Sequence, residues 1–296
     1  MVWQQDVRVI VMLTAEKEGG QVKAHDYWSE KNHGPFSLDL LSERKASVDP
    51  IKIYKHRHRP STGGRKQSET LDKTLDNLTK VDTKNGDEPY VIVRKMTLSH
   101  SGFPFERMRE ITQLQYSSWP DFGAPAHPAH LLGLVEQCDA VVRSTIGTRS
   151  QEPDPPETRP VLVHCSAGCG RTGTFCTVDS VIDMLKRQRF ARRNRQGTPM
   201  DVDSAKGQDD SPFFASPSAF GSDTMGAMAD GRWIDREDQD LVERTVEDFR
   251  HQRLSMVQSL RQFVLCYESV LEWLQEQNRT EKQQQQQQPQ QEQQQE

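Results

Sequence analysis

Three apolar residues, Val161-Leu162-Val163, run straight into HCSAGCGRTG at 164–173, and an amphipathic stretch begins at once. The apolar triplet reads as a short buried strand, bounded upstream by a Pro- and Glu-rich loop at 150–160. From Thr172 onward, Phe175, Val178, Val181, Ile182 and Leu185 recur at helical spacing and give one apolar face. Gly168 and Gly170 lie between strand and helix. Glycines let a chain curl so that successive N–H groups point inward and form a nest for an anion. The start of the helix adds its partial positive charge at the same point.

Two side chains turn this cradle into a chemical site. Arg171 brings a planar, two-pronged donor that matches two oxygens of a phosphate. Cys165 lies at the bottom of the loop, where an electropositive setting lowers a thiol pKa by several units and leaves the sulfur largely thiolate at neutral pH. Such a sulfur can attack the phosphorus of a bound phosphate in line and form a phosphocysteine. The five-residue gap between Cys165 and Arg171 lets one tight loop bring both to one phosphate. No GxxxxGK[ST] pattern occurs, so the loop is not a Walker-type nucleotide site.

The rest of the chain supplies strands and helices in alternation. Residues 6–13 (DVRVIVML) read as a buried strand, then Gly19-Gly20 as a turn, with Val22 to Trp28 pairing back as a hairpin. Further strands are expected at 36–42, 90–97 and 111–118, the last ending in a WPDFGAP turn. Residues 127–142 form a helix with Leu131, Leu134, Val135, Cys138 and Val142 on one side. Order returns with DLVERTVEDFRHQR at 240–253, and a last helix is expected from near Ser259, with Leu260, Phe263, Val264, Tyr267, Leu271 and Leu274 on one face. This alternation predicts an α/β fold, a mixed twisted sheet flanked by helices with the phosphate loop between a strand and a helix.

At this point the sequence resembles a known family. VHCSAGCGRTG looks like the signature loop of the tyrosine-specific protein tyrosine phosphatases, in a fungal-like form with insertions. The resemblance implies a Cys165 nucleophile, a phosphate held by Ser166, Ala167, Gly168, Cys169, Gly170 and Arg171, and no metal or organic cofactor. His164 would help set the thiol pKa, and Thr172 would donate to Cys165. Trp119-Pro120-Asp121 resembles the family's mobile acid loop, with Asp121 as general acid and then general base. Trp119 and Pro120 would support that loop. RLSMVQSLRQF, 253–263, resembles the segment whose glutamines position the hydrolytic water: Gln258 first and Gln262, which also meets substrate, second. Arg253 would brace this region. Glu18-Gly-Gly-Gln-Val-Lys23 resembles the loop whose Glu pairs with the signature Arg and whose Lys contacts the acid loop. The implied partners are proteins carrying phosphotyrosine.

The resemblance covers roughly 1–42, 90–187 and 238–276. In the family, helices and an Asn-Arg-Tyr-type recognition loop precede the stretch matching DVRVIVML, so a catalytic domain over 1–278 is expected to lack that part and to leave apolar sheet surface uncovered. Polar insertions are expected at 43–88 and 188–236, with a disordered Gln-rich tail at 279–296. A mean hydropathy of −0.82 and a hydrophobic share of 33% fit a chain solvated over part of its length. Lys52 to Lys66 holds six Lys or Arg and two His without an acid, and reads as a solvated loop. Arg187 to Arg195 is the better candidate for a docking or nuclear-localisation signal.

A net charge of −5 argues against a dedicated nucleic-acid binder, and no apolar run is long enough to span a membrane. Five cysteines without a framework spacing suit reduced thiols in the cytoplasm or nucleus. Two alternatives share these motifs: a pseudophosphatase that holds phosphotyrosine without turnover, and a dual-specificity or lipid phosphatase. Cys169 also invites a redox role as a partner for oxidised Cys165, although the loop is expected to hold the two thiols apart.

Overall fold

β1 (Val9–Met12) is buried along its whole length and lies inside the sheet, with a parallel neighbour on each side. In the computed structural model of the chain, the described residues are 1–50, 52–53, 89–144, 152–155, 158–196, 232–236 and 238–292. β2 (Lys17–Glu18) and β3 (Gln21–Val22) form a two-residue ribbon around Gly19-Gly20. β4 (Asn32–His33), β5 (Phe36–Ser47), β6 (Tyr90–His100) and β7 (Arg109–Gln115) follow. After α1 (Pro128–Ser144) come β8 (Val161–His164) and α2 (Gly170–Gln196). A 3₁₀ turn at Arg232–Asp235, α3 (Leu241–Gln252) and α4 (Leu260–Glu292) complete the described elements.

The six-stranded sheet has the order β4-β5-β6-β7-β1-β8. β4 to β7 are antiparallel, whereas β1 is parallel to both β7 and β8. The sheet is therefore mixed, as the alternation of elements predicts. Period-two alternation decides what each face buries. Val9 and Val11 of β1, with Val91, Val93 and Leu114, face the layer of α1, α2, α3 and α4. Ile10 and Met12 face the other way, with Leu38, Met96, Leu98 and Ile111 under Trp3, Tyr27 and Trp28. No helical residue belongs to this second cluster among the described residues. A cavity of about 640 Å³ opens on that side, lined by Trp3, Ile10, Met96, Ile111 and Leu162.

Several expectations need correction. β5 continues to Ser47, so residues 43–47 of the first expected insertion are strand, paired residue by residue with β6. The basic run Lys52 to Lys66 lies outside the described residues apart from Lys52 and Ile53. The return arm after Gly20 is only Gln21–Val22, because Ala24 already turns to the carbonyl of Glu16. Residues 188–196 belong to α2 rather than to an insertion, for the Arg and Gln there are good helix formers. Arg187 binds Asp183 and the carbonyl of Asp154, and Arg189 lies over the Trp273 ring, so part of that basic run is built into the fold. The expected disordered tail at 279–296 is helical to Glu292, which glutamine's helix propensity favours.

The last helix is rotated from the expected face. It buries Gln262, Leu265, Cys266, Ser269, Val270 and Trp273, while Leu260 and Leu271 are 78% and 56% exposed. Phe263, Tyr267 and Leu274 sit at the margin. Two polar residues, Gln262 and Ser269, occupy the packed face, which is why apolar spacing alone pointed to the neighbouring one.

α1 comes so close to the start of the first long connection that a β-carbon at Gly133 would enter the carbonyl of Val48. Gly133→Ala is expected to destabilise the fold by about 3 kcal/mol, the upper range for overpacking, as a lowered urea midpoint. An unchanged midpoint would contradict this packing.

Candidate active site

The loop 164–170 leaves β8 and enters α2, and its shape depends on two glycines. Gly168 has a φ of +66°, the left-handed region where glycine costs least. At Gly170 a β-carbon would come 2.8 Å from Gln262 Oε1 and 2.9 Å from Gln258 Oε1, so either amide would have to move to admit one. Both predicted glutamines thus converge on the end of the loop. Ser166 and Ala167 form its exposed rim, whereas Cys165 and Cys169 are buried.

Cys165 lies where its sulfur meets donors. Burial raises the thiol pKa, but the Thr172 hydroxyl and the N–H groups of Thr172, Cys169 and Gly168 act against it, and the net direction is down. The Gly168 N–H stands 3.2 Å from the sulfur. The Thr172 hydroxyl is itself buried without an aligned hydrogen bond, so the backbone donors carry the clearest geometry. Cys169 does not face a bridge to Cys165: Arg253 Nε donates to its sulfur at 3.1 Å, and its thiol points to the Ala167 carbonyl at 3.4 Å. Arg253 Nη2 donates to that same carbonyl at 2.9 Å and so clamps the outer wall of the loop.

Arg171 is 1% exposed. Its Nη1 donates to Glu18 Oε1 at 2.6 Å and to the Trp119 carbonyl at 2.9 Å, and its Nη2 reaches Asp121 Oδ1 at 3.3 Å. Its Nε is buried with no partner. A buried donor left unpaired costs about 1–3 kcal/mol, and this one adjoins the loop whose N–H groups converge on Cys165. Glu18 is fixed from behind by the Thr14 hydroxyl at 2.7 Å. Burial raises the Glu18 pKa, yet the hydrogen bonds from Arg171 and Thr14 hold it below the ordinary value.

Trp119-Pro120-Asp121 reaches over the loop from the end of β7. The fully buried Trp119 donates through Nε1 to the Gly123 carbonyl at 2.9 Å, closing the turn on itself. Lys23 Nζ donates to Asp121 Oδ2 at 2.9 Å, and this bond, with the nearby Arg171 charge, lowers the Asp121 pKa. The structure thus brings Glu18, Lys23, Trp119, Asp121, Cys165, Arg171, Gln258 and Gln262 to one place.

Sequence reasoning missed the support behind His164. Arg94 and Gln113 are buried, on β6 and β7. Arg94 donates to Gln113 Oε1 at 2.9 Å, which fixes the amide so that Gln113 Nε2 donates to the Tyr27 hydroxyl at 2.6 Å. The arrangement suits a Tyr27 proton given to His164 Nε2, 3.2 Å away, with the proton of His164 on Nδ1, which points to the Cys165 carbonyl at 3.4 Å. Burial keeps His164 neutral by lowering its pKa. Lone polar residues on apolar strands give no sequence signal of such a chain. Ser259 was also missed, although Ser259-x-x-Gln262 ahead of an apolar run is a legible capping signature.

Among the described residues, no group of three or more His, Cys, Asp or Glu side chains is placed to hold a metal ion, and no helix is long and apolar enough to cross a membrane.

The family model described as protein-tyrosine phosphatase matches residues 1–57 and 65–202, and the chain belongs to that family. It is 34% identical over 210 residues to the tyrosine-protein phosphatase non-receptor type ptp-2 of Caenorhabditis elegans, covering 68% of this chain and 28% of that protein. It is 31% identical over 191 residues to the human tyrosine-protein phosphatase non-receptor type 9, covering 63% and 25%. With tyrosine-protein phosphatase 69D of Drosophila melanogaster it shares 27% over 272 residues, 92% of this chain and 12% of the relative. The chain therefore spans a small part of these relatives' length. A solved structure concerning the PTPN18 fingerprint on distinct HER2 tyrosine phosphorylation sites matches the fold with a TM-score of 0.50 at 23% identity, over 92% of this chain and 61% of that one. These relatives are animal proteins, and they lend no support to the fungal-like character expected from the insertions.

The Tyr27 link yields a direct test. Tyr27→Phe leaves the buried Gln113 Nε2 only the weak Met12 sulfur, 3.6 Å away, as an acceptor and should destabilise the fold by about 1 kcal/mol, as a lowered urea midpoint with an unchanged far-ultraviolet spectrum. A midpoint equal to that of the unaltered chain would contradict the chain of hydrogen bonds.

Proposed function

We infer that the chain is the catalytic part of a protein tyrosine phosphatase that hydrolyses phosphotyrosine on proteins through a phosphocysteine. One observation carries the reading: a buried guanidinium with an unpaired Nε donor beside a loop whose N–H groups face a sulfur of lowered pKa. Arg171 Nε and the loop N–H groups from Ser166 to Arg171 would hold the oxygens of the phosphate and meet the charge that redistributes over them. The Cys165 sulfur attacks phosphorus as the bond to the tyrosine oxygen breaks, and Asp121 gives that oxygen its proton. Water then attacks the phosphocysteine, Asp121 takes a proton from it, and the P–S bond breaks to release inorganic phosphate and the thiolate. Gln258, exposed beside Gly170, is the residue to orient that water, with the buried Gln262 holding the Gln258 backbone.

Asp121 must be protonated for the first step, whereas in the unliganded site Lys23 and Arg171 favour its anion. A phosphate that takes up Arg171 removes part of this bias, which links binding to protonation of the acid. The solved relative named for HER2 tyrosine phosphorylation sites supports phosphotyrosine as the substrate class, and the five free thiols suit a cytoplasmic setting.

Turnover of a phosphotyrosine peptide is expected to vanish in Cys165→Ser and to fall roughly several hundred-fold in Asp121→Ala, the scale of a lost general acid. Hydrolysis of the phosphotyrosine peptide well above that of a phosphoserine peptide is expected. Full activity in Cys165→Ser would refute the reading, and binding without turnover by the unaltered chain would favour a pseudophosphatase. Because Lys23 lowers the Asp121 pKa, Lys23→Met should raise it and move the alkaline fall of kcat/KM to higher pH. A fall that stays in place would remove Lys23 from the acid's environment.

A further inference from the structure

The acid loop closes on a backbone that its own residues do not favour. Phe122 has a φ of +56°, and Gly123 is packed so closely on Pro120 that a β-carbon there would come 2.9 Å from the proline ring. A non-glycine residue in the left-handed region persists only where its surroundings hold it. Lys23 and Arg171 hold the carboxylate of Asp121, and Arg171 holds the Trp119 carbonyl. The strained residue itself is held from elsewhere: the Ser259 hydroxyl donates to the Phe122 carbonyl at 3.0 Å, across 137 positions of sequence.

Ser259 is also the cap of α4. Its oxygen accepts the Gln262 N–H at 3.2 Å, and Gln262 Oε1 accepts the N–H groups of Ser259 at 3.3 Å and Gln258 at 3.1 Å. This is the reciprocal capping box, in which the serine oxygen is used as an acceptor and its proton stays free. Here that proton goes to the acid loop. One hydroxyl therefore ties the segment carrying both glutamines to the turn carrying Asp121.

We propose that Ser259 is a positioning residue that latches the acid loop over Cys165 and sets Asp121 and Gln258 in register. The proposal rests on the reading of Asp121 as the acid–base group. It identifies an element of sequence, a serine cap with a spare proton, that has no chemistry of its own and acts through Asp121.

A double-mutant cycle tests this on the full chain with a phosphotyrosine peptide. Ser259→Ala should lower kcat about tenfold, part of the 10²–10⁴ that a general acid supplies, with a smaller change in KM. In an Asp121→Asn background the same substitution should change kcat less than about twofold, since residues acting as a unit are non-additive. Ser259→Thr, which keeps both cap and proton, should restore turnover. Should Ser259→Ala fail to fold, Ser259→Asp keeps the cap's acceptor without a proton to donate and should show the same loss in the Asp121 background only. Equal losses in both backgrounds, or none in either, would overturn the latch and leave the site reading standing. An Asp121→Asn chain as active as the unaltered one would overturn both.

Discussion

The buried guanidinium of Arg171 is the interaction on which the site depends. A cation 1% exposed needs partners that offset the loss of water. Three come from two separate parts of the chain: Glu18 from the β2–β3 ribbon, and the Trp119 carbonyl and Asp121 from the turn after β7. One side chain thereby joins the phosphate loop, the Glu–Lys ribbon and the acid loop. Its Nε donor has no partner among the described residues, and in the proposed reaction it is a donor left for the phosphate.

Around that centre, strain and support are matched. The signature loop is curved through Gly168 and pressed on the glutamines at Gly170, while Arg253 clamps its outer wall through the Ala167 carbonyl and the Cys169 sulfur. Beneath it, Arg94, Gln113 and Tyr27 form a chain of hydrogen bonds that ends on the ring of His164. The acid loop stores its strain at Phe122 and is tied at Trp119, Asp121 and Phe122 by three other elements. Side chains held this way need little rearrangement when charge moves in the transition state, which is the physical basis of electrostatic catalysis.

Much of this was legible from residues alone, for identifiable reasons. The strand, loop and helix around Cys165 announce themselves because glycines, a buried triplet and helical spacing agree across ten residues. Asp121 and Glu18 had no such local agreement and were reached only through the family resemblance of their own segments. Strand order was not legible, since the pairing of β1 with β7 and β8 joins residues more than a hundred positions apart. The face of α4 was misread because Gln262 and Ser269 are buried for capping and close packing, against their usual preference. Arg94 and Gln113 were invisible for a related reason: a buried polar chain looks, in sequence, like polar residues facing solvent.

The account stands on Cys165 being an anion in the folded loop. The most direct measurement is the pH dependence of its alkylation by iodoacetamide in the native chain, followed on the Cys165 peptide by mass spectrometry so that the other four thiols do not contribute. The account predicts a midpoint below about 8.5, the ordinary thiol value. A midpoint at or above the ordinary value in a folded chain would contradict it.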